Sequence, residues 1–161
     1  MPGEYPPPVV ALLAKPRLPD LGPGNPVESL QGKIAAAARE LPPACAAGLW
    51  LLFDFLDESH TISQDIHSPD GSFWHALMHR REPDPFNSKY WWRKVGSHPV
   101  LSALVQQAPS LGYTYTNPHD FVDFCEKVRD TGTPDEELAK RVQLLEWQLL
   151  FDHCYRLATR A

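Results

Sequence analysis

The sequence predicts an all-α protein: a single-domain helical bundle with two long helices and several short ones, preceded by a proline-rich extended arm. Three observations carry this. From Pro26 onward apolar residues recur at helical spacing nearly everywhere. Strand-like alternation is confined to residues 112–116. Prolines sit where helices begin, at His98-Pro99, Asn117-Pro118 and Thr133-Pro134. A chain of 161 residues, 43% hydrophobic and 22% charged, can bury one real core but not two.

Taken in order, residues 1–27 hold eight of the seventeen prolines, a density that predicts extended or disordered chain. The domains are therefore expected as an arm over 1–26 and a helical domain over 27–161. Val9-Val10 and Leu12-Leu13 allow the arm to lie across the domain; a flexible tail is the alternative. A first helix is expected over 27–39, and a second, long one from Pro42-Pro43 to about Ile66. Ser68-Pro69-Asp70-Gly71 reads as a turn, with Ser68 or Asp70 capping a third helix through Glu82. Pro83 and Pro85 stop it. Asn87 is expected to cap a short helix ending at Val95-Gly96, and His98-Pro99 to open another reaching about Ala108. Asn117-Pro118 starts a helix to near Asp130. Thr133-Pro134-Asp135-Glu136 has the form of a capping box, opening the long final helix.

Helical geometry then assigns faces. On the second helix Leu49, Phe53, Leu56 and His60 share one stripe, continued by Ser63, Gln64 and His67. An apolar stripe turning polar predicts a polar pocket at one end of the bundle, or a helix emerging into solvent. On the third helix Phe73, Trp74, Leu77 and Met78 form the apolar face, with Arg81 among them. A buried guanidinium needs a carboxylate or several acceptors, and Asp54 or Asp57 is the expected partner. His75, His79 and Glu82 fall on the opposite face, at the spacing by which one helix offers two imidazoles and a carboxylate to a divalent metal such as zinc or iron. A solvated face and a metal-free hydrogen-bonding role remain open. For a site to exist, Tyr90, Trp91 and Trp92 must cover that face, with His60 or His98 as further ligand or catalytic acid/base. Arg80 and Arg93 are candidate anion ligands and Trp91 and Trp92 candidate pocket walls. On the final helix Glu146 and His153 are two turns apart and could meet across a pocket.

Other chemistries are absent from the sequence. It carries no GxSxG, P-loop or GxGxxG. Cys45, Cys125 and Cys154 have no finger or CxxC spacing and are expected as reduced packing residues. A net charge of −5 argues against general nucleic-acid binding. Lacking a leader-like start or a long apolar run, the chain is expected to be cytoplasmic and off the membrane.

Trp74-His-Ala-Leu-Met-His-Arg-Arg-Glu82, Asn87-Ser-Lys-Tyr-Trp-Trp-Arg93 and Gly96-Ser-His-Pro99 resemble a family of small uncharacterised bacterial and fungal proteins with the pattern WHAxMHRRE…NxKYWxRxVGxHP. The resemblance extends back to Asp57-Glu-Ser-His60 and singles out the region without implying a reaction. Two functions follow as expectations. One is a His/Arg/Trp-lined pocket binding a divalent metal or small anionic ligand, with an enzymatic role on a small molecule left open. The other is a non-catalytic interaction module or homodimer surface built on exposed Trp and Arg.

Overall fold

In the computed structural model, which describes residues 5–160, every regular element is helical. The order is α1 (Pro7–Leu13), α2 (Gln31–Ala38), α3 (Pro43–Leu52), α4 (Leu56–Ser63), α5 (Pro69–Arg81), α6 (Pro85–Val95), α7 (Pro99–Gln107), α8 (Pro118–Val128) and α9 (Pro134–Thr159). Short 3₁₀ turns cover Glu28–Leu30 and Ala108–Leu111. No helix among the described residues is long and apolar enough to cross a membrane.

Several ends form as their residues dictate. Asn117 Oδ1 accepts from the Asp120 N–H at 2.8 Å, and His98 Nδ1 from the Val100 N–H at 3.1 Å. Thr133 Oγ1 caps Glu136, whose carboxylate takes the N–H groups of Asp130 and Gly132 rather than that of Thr133. α6 differs from expectation: Asp84, not Asn87, is its cap, accepting the Asn87 N–H at 3.1 Å, with Pro85 at the first helical position.

Two larger expectations are corrected. The arm is not wholly extended, because Pro7–Leu13 is helical. Its prolines fall in the first turn, where no N–H is needed and the fixed φ suits a helix. Pro2 lies outside the described residues. Val9 and Leu21 are buried in the same core as α3, α5 and α9. Likewise the expected long second helix is two helices. It breaks at Phe53-Asp54-Phe55, where Asp54 adopts a left-handed φ of 70°. The faces computed for one continuous helix therefore do not apply beyond Leu52.

α5 runs through the core. Trp74 is fully buried, and Gly48 on α3 admits it: a Cβ there would stand 2.5 Å from two Trp74 ring carbons. α6 folds back along α5, tied by the Ser88 hydroxyl to the Ala76 carbonyl at 2.7 Å.

Candidate metal centre

The α3–α4 break sets the site's geometry. Arg81 reaches the corner with its whole guanidinium: Nε donates to Gly22 O, Nη1 to Leu51 O at 2.9 Å, and Nη2 to Asp54 Oδ1 at 2.6 Å. The second Asp54 oxygen accepts from Arg17 Nη2 at 2.6 Å. Asp57, the alternative partner, is exposed. Burial pulls Arg81 below the usual arginine range, and Asp54 opposes it.

With the corner held, α4 places His60 against the outer face of α5. His60 Nε2 and His75 Nε2 are 3.1 Å apart. His79 stacks on His75 with centroids 4.8 Å apart, and its ring centre is 5.6 Å from that of His60. Each of the three can offer one ring nitrogen with all three atoms within 4.8 Å of one another. Trp91 lies over His75 at 3.8 Å and 13°, and Lys94 Nζ stands 5.2 Å and 5.6 Å from the Tyr90 and Trp91 ring centres. The expected cover of this face is thus supplied by Trp91. Tyr90 remains 43% exposed.

Electrostatics keep the centre of the cluster neutral. Burial, then His79 and His60, push His75 down to about 3. Its Nδ1 is buried without a hydrogen-bond partner. Glu82, the expected carboxylate ligand, touches the cluster through His79 and also lies with His79 and Asp84 in a group that could hold a cation. Glu82 Oε1 accepts from His79 Nδ1 at 2.6 Å, leaving Nε2 as that ring's lone-pair nitrogen.

The remaining sequence candidates lie elsewhere. Arg80, expected as an accessible anion ligand, is fully buried: it meets Glu146 at 2.6 Å and Gln143 at 3.2 Å, over the Phe121 ring. Trp92 is core rather than pocket wall, packed edge-on to Phe73 at 4.7 Å. Arg93 is on the exposed face of α6. His98 is in a second cluster, its Nε2 at 2.7 Å from Asp70 Oδ1, which also lies 3.3 Å from His153 Nε2. Glu146 and His153 consequently do not face each other across a pocket. Their partners, Arg80 and Asp70, lie too far away in sequence for spacing to reveal them.

The two histidine clusters differ chemically. His98 Nδ1 accepts the Val100 N–H, so in the neutral ring Nε2 carries the proton and donates to Asp70. That ring itself then has no lone pair left for a cation, although Asp70 and His153 beside it keep theirs. The hydrogen bond from His98, despite opposing desolvation, holds Asp70 below the usual carboxylate range. In the His60–His75–His79 cluster the 3.1 Å contact joins two Nε2 atoms, one donating to the other in the metal-free protein, so a cation taken up there would replace that shared proton. The fold and the site together define an all-helical protein with a three-imidazole cluster under a tryptophan. Comparison with family models, with curated proteins and with solved structures finds no match to this chain.

Proposed function

We propose that His60, His75 and His79 hold a divalent transition metal, zinc being the ion best suited to three neutral imidazoles. The observation that carries this is the 3.1 Å separation of His60 Nε2 and His75 Nε2. Two imidazole nitrogens bound to one tetrahedral zinc at about 2.0–2.1 Å stand about 3.3 Å apart, so little movement is required. Glu82 has the place of the carboxylate that orients a ligating histidine. The low proton affinity of His75 keeps a lone pair available at neutral pH. Three protein ligands leave a fourth position open to water or an anionic ligand, the arrangement of catalytic rather than closed structural zinc sites.

The test is elemental analysis of untagged protein loaded in turn with Zn, Fe, Co, Ni, Cu and Mn. About one ion per chain is expected, lost in His60→Ala and His75→Ala and retained in His98→Ala. Absence of stoichiometric metal under every loading refutes the reading. A second reading, an interaction or homodimer surface, is favoured by Phe86 and Tyr90, one turn apart on α6 and 77% and 43% exposed. It predicts that Phe86→Ala changes the sedimentation-derived mass and leaves metal content alone.

A further inference from the structure

A separate cleft of about 690 Å³ runs between the N-terminal arm and α9. Val10 and Leu13 line one side, Leu145, Trp147 and Leu149 the other, and Leu52 also contributes. The division of α1 explains its availability: Val9 turns into the core at 0% exposure while Val10 remains 36% exposed. Tyr5 pins the start of the arm, donating to Asp152 at 3.0 Å and packing edge-on to Phe151 and Tyr155. Arg17 pins its far end, on Leu52 O at 2.8 Å and on Asp54. The arm is thus fastened at both ends beside a wall of aliphatic side chains.

We infer that this cleft binds a long-chain carboxylate. Its volume lies within the range of about 300–1,000 Å³ usual for small-molecule sites, with the mostly apolar lining and few polar groups such sites share. The lining on α9 extends from Leu144 to Arg156, about 18 Å of helix, which suits an extended acyl chain. Charge selects the head group. Of the cations lining the cleft, Arg17 is bound to Asp54 and Arg156 to Asp152, whereas Lys15 is exposed and has no partner among the described residues. Gln107 and Gln148 add carboxamide donors to the lining. The carboxylate is held at Lys15, and the chain lies along Val10, Leu13, Leu145 and Leu149. The inference is independent of the histidine cluster.

Equilibrium dialysis of the full chain against palmitate tests it. One palmitate per chain is expected, weakened at least tenfold by Lys15→Glu and by Val10→Asp, two exposed positions, with circular dichroism and Tm confirming the fold. Hexadecanol, which has the chain but not the charge, is expected to bind at least tenfold more weakly than palmitate. Four results would overturn the inference: no stoichiometric palmitate; palmitate binding unchanged in Lys15→Glu; hexadecanol bound as tightly as palmitate; or sedimentation with phosphatidylglycerol vesicles without binding of free palmitate, which moves the ligand to a lipid surface. If Val10→Asp fails to fold, the Lys15→Glu and hexadecanol arms decide.

Discussion

Asp54 and Arg81 meet at 2.6 Å inside the protein, joining the left-handed corner between α3 and α4 to the last turn of α5. The pair is what lets a side chain on α4 face one on α5. Both partners are nearly buried, at 6% and 2% exposure, and Arg17 shares the same carboxylate. Removing the carboxylate leaves a buried guanidinium unpaired, which costs about 3–5 kcal/mol. Asp54→Ala is expected to lose that much in urea unfolding at pH 7. A loss under about 1 kcal/mol would show that the corner is held by packing alone.

Gly48 is the second vulnerable point. Gly48→Ala places a methyl 2.5 Å from carbons of the fully buried Trp74 ring, which has no room to withdraw. Overpacking of this kind costs about 1–3 kcal/mol. The expected drop is read from the thermal midpoint. An unchanged midpoint would mean that α3 and α5 separate easily.

If the three imidazoles hold a metal as proposed, the Glu82–His79 contact makes Glu82 an orienting residue rather than a ligand. Glu82→Gln keeps an acceptor oxygen but removes the charge that orients His79 and raises its basicity. The expected effect is a metal affinity about 10–100-fold weaker at unchanged stoichiometry. Competition with a chromophoric chelator reads both quantities. Loss of the metal altogether would instead make Glu82 a direct ligand.

The pH dependence of the metal-free protein has a definite sign. Burial lowers His75 from the ordinary 6.5 to about 3, so between those values the unfolded chain binds a proton that the folded one refuses. Stability is complete above about pH 6.5 and falls as the pH drops toward 3. Asp70, whose carboxyl is also lowered, adds a further loss below its usual value of 3.8. Urea midpoints between pH 7 and 4 should decline in the wild type and flatten in His75→Leu. Parallel slopes in the two proteins would show that His75 is not the titrating group.

The helical class was legible because local signals carry it: Asn117, His98 and Thr133 each cap the helix their following proline suggests. The α3–α4 break was not legible. Asp54 takes its left-handed φ where Arg17 and Arg81, 37 and 27 positions away, converge on its carboxylate. A misplaced break spoils every face computed beyond it, which is why His60 read as part of one long stripe running on to His67. The periodicity of α5 did put His75 and His79 on one face, since α5 is unbroken through Arg81. Arg80 and Arg81 show the limit of that reasoning. Periodicity cannot tell which of two adjacent arginines finds a buried acid, and here both do, with Glu146 lying 66 positions from Arg80.

Those two arginines also bear on motion. Arg80 fastens α5 to α9, and Arg81 fastens it to the α3–α4 corner, from directions about 100° apart around the helix axis. To slide or rotate, α5 would have to release two buried ion pairs at once. Amide exchange in α5 should therefore be among the slowest in the chain, proceeding only with global opening. Any breathing that admits an ion or solute to the imidazoles then belongs to α4, a helix of eight residues with an exposed Asp57 in its first turn, and to α6, whose Phe86 and Tyr90 face solvent. His75 and His79 ride on the doubly anchored helix, and His60 approaches them from α4, which no such buried pair of its own among the described residues fastens along its length.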